Sequence, residues 1–332
     1  MENMSKLTVA GVELRSKYIL APLAGYTSYA MRKISNEYGV GMTYTEMISS
    51  SALVYDSKKT MSMLPKEKEE TPVALQLFGG DKETVLKSIE IVEKNAIYDF
   101  LDFNIGCPVP KVYKQGAGSS WLAKEDELID LVREMVKISS KPVIAKIRLG
   151  IDSNHLNYLS VAKRLEEAGI KMLVVHGRTR KEMFQGLVHY DLIKEIKDNL
   201  TIPVIANGDI GLDNIEEVKN ITGADGYMIG RNAIGNPQIF TNLINLEEGK
   251  ELVKRDYLTQ EELILKHLRY LIDEMGDEKK ASEVMRGIAC FYLKGIENAK
   301  SVKMGLVKCS SYKEFEDCLK GGESNVTRCE IK

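Results

Sequence analysis

Residues 101–122 read LDFNIGCPVPKVYKQGAGSSWL: a short apolar run ends at Asn104 and gives way at once to Gly106, Cys107, Pro108, Pro110 and the glycines Gly116 and Gly118. Glycine and proline at this density set backbone conformations that other residues reach only with strain. The stretch therefore reads as a strand followed by a shaped loop that holds Asn104 and Cys107 at the strand end. A plain turn around a buried cysteine is the competing reading, because free cysteine is often a small core residue.

The rest of the chain decides between them. Eight short apolar runs follow one another: Ile19–Ala24, Met42–Glu46, Val73–Phe78, Phe100–Asn104, Val143–Ile147, Met172–His176, Val204–Asn207 and Gly226–Ile229. Most are near-continuous apolar, as strands covered on both faces are. Helical patterns lie between several of them: Val85, Ile89 and Val92 behind a capping Asp81; Leu128, Leu131, Val132 and Met135; and Leu212, Ile215 and Val218. Strand and helix alternate across about 220 residues, which predicts a (β/α)8 TIM barrel over residues 1–240. A doubly wound open sheet is the alternative, but no G-x-G-x-x-G follows the first run. Ahead of the barrel, Leu7–Leu14 alternates around Gly11 and predicts a hairpin that plugs one end. Beyond Phe240 the strand pattern stops. Thr259 with Glu262, and Ser311 with Glu314, form capping boxes, Gly276 is a helix stop, and the apolar spacing predicts a small all-helical domain over residues 241–332.

Composition bounds the setting. The 332 residues are 44% hydrophobic and 28% charged, with a net charge of -2 that leaves polyanionic partners to the local distribution of charge. Five cysteines (Cys107, Cys290, Cys309, Cys318 and Cys329) contain no C-x-x-C pair, so neither a disulfide framework nor a thiolate metal site is expected. The N-terminal MENMSKLTVAGVELR has no apolar signal core, and no apolar run approaches the ~20 residues of a membrane span. A reduced, cytoplasmic setting without membrane association is expected, and no obligatory protein partner is evident.

In TIM barrels the active site lies at the C-terminal strand ends. Those ends here carry Ala24-Gly25, Glu46, Gln76, Asn104 with Cys107, Lys146 with Arg148, His176 with Arg178, Asn207-Gly208-Asp209 and Gly230-Arg231. One such polar group would mean little, but eight segments on one rim predict a binding mouth. The last two follow the seventh and eighth runs, where backbone N–H groups commonly cradle a phosphate, and Arg231 adds charge-assisted bonds. Gln76 and Lys146 would then face the ring system of a phosphorylated cofactor, and a lysine beside a flavin stabilises the negative charge of its reduced form.

With these residues in place, the chain resembles the flavin-dependent tRNA-dihydrouridine synthases, in particular their bacterial B-type branch. The matching motifs are APLAG at 21–25, TEMISS at 45–50, QLFG at 76–79, DFNIGCP at 102–108, AKIRLG at 145–150, HGRTR at 176–180, PVIANGDI at 203–210 and GADGYMIGR at 223–231. They span roughly residues 10–240; the cysteine loop together with HGRTR is the specific part, whereas ANGDI and MIGR alone fit other FMN barrels. Leu23, Phe103 and Trp121 depart from the usual residues without removing a reacting group.

The resemblance implies that reduced FMN delivers hydride to C6 of a uracil while Cys107 gives a proton to C5, with NADPH, or alternatively NADH, as reductant. It implies that Pro22, Leu23, Ala24, Gln76, Lys146, His176, Asn207, Gly208, Asp209, Gly230 and Arg231 hold FMN. Asn104 would orient the uracil and Arg178 would sit at the mouth. A uridine must leave its stack to reach such a mouth, at a cost of about a few kcal/mol, so backbone contacts must supply binding energy. Lys111, Lys114, Arg178, Arg180 and Lys181 are basic residues of the rim, and Ala281–Lys308 holds Arg286, Lys294, Lys300, Lys303 and Lys308 against Glu283 and Glu297. The helical domain is expected to form the other wall of a tRNA groove. Two competitors remain at this point: an FMN barrel acting on a small pyrimidine, and a tRNA-binding protein without chemistry.

Overall fold

A computed structural model describes residues 7–326 of the chain; Cys329 lies outside the described residues. The chain divides into two compact units, Met1–Thr27 with Gly39–Gly230, and Ser28–Tyr38 with Arg231–Lys332. The division falls at Gly230 where the sequence pattern placed it at 240, and the helix after the first strand joins the second unit.

The first unit is a parallel barrel. Its strands are β1 (Tyr18–Leu20), β2 (Thr43–Tyr44), β3 (Val73–Phe78), β4 (Phe100–Ile105), β5 (Val143–Arg148), β6 (Leu173–His176), β7 (Val204–Asn207) and β8 (Gly226–Ile229). They hydrogen-bond in the order β1-β8-β7-β6-β5-β4-β3-β2, and a parallel bridge between Ile19 and Met42 joins the two ends. The expected second run is broken: after β2 the Thr45 hydroxyl accepts the Gln76 N–H (3.0 Å), and a further short strand, Ile48–Ser49, pairs with the end of β3.

Alternate residues point inward. Ile19, Met42, Tyr44, Ala74, Phe100, Ile144, Met172, Val174, Ile205 and Met228 form one buried cluster with Leu7, Val9 and Leu14, so the N-terminal hairpin (Thr8–Val9 paired with Val12–Glu13) does close this core. Burying each of these larger side chains favours folding by roughly 1.5–3 kcal/mol. Register then fixes the polar rim: Asn104 pairs with Lys146, and His176 lies between Arg148 on one side and Asn207 on the other. Because the side-chain period of a strand is two, this register gathers the rim residues at one end of the interior.

The second unit is helical. Helix α1 (Tyr29–Asn36) packs on α2 (Tyr257–Met275), where the Glu274 carboxylate accepts the N–H groups of Tyr29 (3.1 Å) and Ala30 (2.9 Å). α2 starts earlier than the Thr259 capping box implied, because Asp256 is the cap and takes the Thr259 N–H at 2.8 Å; Gly276 ends it in the left-handed conformation, as expected. Then follow α3 (Glu278–Tyr292), α4 (Lys300–Leu306) and α5 (Tyr312–Val326). Among the described residues no helix is long and apolar enough to cross a membrane.

Candidate active site

The cysteine loop is anchored from three directions. The Asn104 Oδ1 accepts the N–H groups of Gly106 (3.1 Å) and Cys107 (2.8 Å), so the strand-end amide caps the turn into the loop. From the other side, the Cys107 carbonyl accepts the Ser119 N–H (3.1 Å) and hydroxyl (2.9 Å). Arg148, 1% exposed, donates Nε to the Gly106 carbonyl (3.0 Å) and Nη1 to the Thr179 carbonyl (2.7 Å). Gly118 is required here: its φ is +61°, and a Cβ on it would lie 2.8 Å from the Cys107 oxygen and 2.9 Å from the Cys107 Cβ. The glycine pair flagged in the sequence thus lets the loop fold back on its cysteine.

Cys107 is buried, and burial pushes its thiol up, against the pull of a backbone hydrogen bond from Val109 and the nearby charges of Arg148 and Lys146. Lys146, half-buried, donates Nζ to Asn207 Oδ1 at 2.9 Å, and Asn207 Nδ2 donates to the Met228 carbonyl at 2.9 Å. Enclosure by the barrel, followed by repulsion from Arg148, draws the Lys146 ammonium down to about 7. Its hydrogen-bond partner is a neutral amide, and the charges of Asp102 and Cys107 act on it in the opposite sense to Arg148.

Gln76 has no exposed surface. Its Nε2 donates to Asp102 Oδ2 (2.6 Å) and its Oε1 accepts from Asn104 Nδ2 (2.8 Å), so Asn104 and Gln76 bond each other as well as the loop. Asn104 Nδ2 also lies 3.0 Å from the Met47 sulfur. Arg178, expected at the mouth, is 2% exposed: the loop that follows β6 folds over it, and its Nη2 donates to the Gly186 carbonyl (2.6 Å) and to Asp209 (2.5 Å). The Nε and Nη1 of Arg178 are buried without a hydrogen-bond partner. Next to it Arg180 stacks 3.6 Å above the Tyr113 ring, which ties the β6 loop to the cysteine loop.

The remaining expected residues divide. His176, Asn207 and Gly208 are buried at the ends of β6 and β7; Pro22 and Leu23 are half-buried and Ala24 exposed after β1; Asp209 and Lys111 are exposed. Gly230 ends the first unit and the exposed Arg231 opens the second. Arg286, expected to face tRNA, uses its Nε to bind the Cys309 carbonyl at 2.6 Å. Sequence reading gave no role to Asp102, Met47 or Ser119, and none to Arg148 beyond its place on the rim. Asp102 had a signal: a carboxyl inside a run otherwise buried on both faces.

The profile of the family described as dihydrouridine synthase (Dus) matches residues 19–327. The chain belongs to the dihydrouridine synthase family. It is 37% identical over 294 residues to a Pasteurella multocida protein named tRNA-dihydrouridine synthase B, with 88% of each chain covered. A Pseudomonas aeruginosa protein of the same name is 33% identical over 324 residues, covering 94% of this chain and 96% of that one. Family membership makes the protein an oxidoreductase. In fold the chain is similar to the old yellow enzyme from Trypanosoma cruzi (TM-score 0.56, 10% identity, 77% of this chain and 94% of that chain). It is similar as well to an old yellow enzyme homologue from Zymomonas mobilis (TM-score 0.52, 12% identity, 77% and 95%). These two likenesses show the fold, a TIM barrel.

Proposed function

We propose that the protein reduces uridines in tRNA to 5,6-dihydrouridine, with FMN as the resident cofactor, NADPH as the reductant and Cys107 as the proton donor. The observation that carries this reading is the arrangement of Cys107, in the loop after β4, and Lys146, on the neighbouring β5, with burial pushing the thiol up and the Lys146 ammonium hydrogen-bonded to a neutral amide and, among the described residues, to no carboxylate. That vacancy of charge suits a ring that becomes anionic on reduction, and the unpartnered Nε and Nη1 of Arg178 suit a phosphorylated ligand close to β6 and β7.

FMN, when bound, supplies the hydride that reaches C6 of the uracil. The chain does the rest. Cys107 Sγ transfers its proton to C5, so the C5–C6 double bond is saturated by one hydride and one proton and the sulfur is left as thiolate. Arg148 and Lys146 stabilise that thiolate by charge until it takes a proton back from solvent. Asn104, with Gln76, holds the loop that carries the thiol, while Lys146, His176, Asn207, Gly208 and Asp209 would hold the cofactor. Lys111 and the exposed lysines of the second unit supply charge for the tRNA backbone.

The reading is tested by mass mapping of dihydrouridine in tRNA from cells lacking the protein, complemented with wild type or with Cys107→Ala. Wild type restores the modification and the alanine variant does not. Restoration by Cys107→Ala at the wild-type rate removes Cys107 from the chemistry. Purified protein whose flavin absorbance bleaches with NADPH supports the cofactor assignment, and protein that never binds flavin overturns it.

A further inference from the structure

Asp102 lies on β4 two residues before Asn104, so its side chain points into the barrel one step below the polar rim. Strand register sets Gln76 on one side of it and Ile144 on the other, and Ile144 belongs to the buried core cluster with Tyr44, Ala74, Val174 and Ile205. Asp102 itself has no exposed surface, its Oδ2 is 2.6 Å from Gln76 Nε2, and its Oδ1 is buried without a hydrogen-bond partner. A carboxyl in such a layer opposes folding unless its hydrogen bonding offsets the loss of water.

We propose that Asp102 is a positioning residue that fixes the direction of a chain of hydrogen bonds ending on the backbone of Cys107. The direction of each link follows from the one before. Asp102 Oδ2 accepts from Gln76 Nε2, so the Gln76 amide turns its nitrogen inward and its oxygen toward Asn104. That oxygen accepts from Asn104 Nδ2, which turns Asn104 Oδ1 toward the N–H groups of Gly106 and Cys107. With an apolar residue at 102 the Gln76 nitrogen loses its acceptor, and the two loop N–H groups are left to hold both amides in this orientation. A flipped Asn104 would present an NH2 group to two N–H donors and release the loop. Burial pushes the Asp102 carboxyl up to about 8, against the pull of the Gln76 hydrogen bond and the Lys146 charge; with that proton on Oδ1, the oxygen without a partner, Oδ2 stays the acceptor for Gln76 in the neutral acid as well. The inference deepens the reading of Cys107 as proton donor and rests on it for its functional meaning.

The test is the alkylation rate of Cys107 by iodoacetamide in the full-length purified protein, read on the Cys107 peptide by mass spectrometry, together with kcat and KM for tRNA. In Asp102→Leu, Cys107 is expected to alkylate about tenfold faster, the scale of one lost hydrogen bond, and kcat to fall by a similar factor with KM little changed. Asp102→Asn, which can still present an oxygen to Gln76, is expected to restore both to within about threefold of wild type. A wild-type alkylation rate in Asp102→Leu, or an Asn variant no better than the Leu variant, overturns the proposal. Should Asp102→Leu not fold, Gln76→Met breaks the same relay with Asp102 intact: faster alkylation of Cys107 supports it and an unchanged rate overturns it. The alkylation result stands apart from the chemistry, because retained activity in Cys107→Ala would remove the proton-donor reading while leaving the hold of Asp102 on the loop measurable.

Discussion

Lys146 Nζ donates to Asn207 Oδ1 across 2.9 Å, so the cation of β5 is held by an amide of β7 and, among the described residues, by no carboxylate. Two strands apart in the sheet, these residues define the cationic side of the mouth, and their pairing sets a measurable pH response.

Lys146 is drawn from 10.5 down to about 7, chiefly by burial and then by Arg148. The unfolded chain therefore binds more protons than the folded one between those values, and this group makes the fold more stable as pH rises through that window. Urea unfolding of flavin-free protein at pH 7 and pH 9.5 should show a gain for wild type relative to Lys146→Met. Asn207→Asp, which supplies the missing carboxylate, should raise the lysine again and reduce the gain. Identical pH profiles for wild type and Lys146→Met would remove Lys146 as the cause.

The Arg178–Asp209 pair couples the loops after β6 and β7. The Arg178 side chain is 3% exposed and Asp209 41%, so removing the carboxylate strands a buried guanidinium close to that of Arg148. Asp209→Asn should cost on the order of 2 kcal/mol, less than a fully buried pair because Asp209 reaches water. In an Arg178→Leu background the same substitution should cost almost nothing, and a double-mutant cycle with coupling near zero would show that the pair does not hold the loops together.

How much of this was readable beforehand follows from what each feature depends on. Val73–Phe78, Val204–Asn207 and Gly226–Ile229 coincide with their apolar runs, because strands covered on both faces leave a continuous pattern. The Met42–Glu46 run is cut short because the Thr45 side chain, not the backbone, bonds Gln76, and side-chain substitution in a ladder leaves no periodic trace. The rim residues could be named since strand ends are visible in sequence. Their partners could not: the Asp102–Gln76–Asn104 relay depends on β3–β4 register and on amide orientation. Burial of Arg178 depends on the Gly186 carbonyl returning over it from a loop with no pattern of its own.

In the second unit, His267 is fully buried, its Nδ1 lies 2.9 Å from the Tyr292 hydroxyl, and burial draws the imidazole from 6.5 down to about 4. The folded state keeps this ring neutral, so stability is lost as pH falls from about 6.5 toward 4, where only the unfolded chain takes up the proton. The full effect is on the order of 3 kcal/mol. His267→Gln should unfold with a flatter dependence over that range in urea titrations at pH 7 and 4.5. Parallel losses in both proteins would assign the acid sensitivity to other groups.

Lys294 and Lys300 are exposed, and Lys300 and Lys303 line a cleft of about 580 Å³ with Asn298 and Met304, whereas Arg286 is engaged with the Cys309 carbonyl. Charge reversal at Lys294 or Lys300 should therefore weaken tRNA binding without loss of stability and lower the slope of log K against log salt by about one for each phosphate contact removed. Arg286→Glu should differ in kind. It breaks the tie between α3 and the turn after α4, so a lower unfolding midpoint should accompany any loss of binding. Filter binding across a salt series with thermal melts of the same variants separates the two effects, and unchanged affinity and slope in Lys294→Glu and Lys300→Glu would take this face out of tRNA recognition.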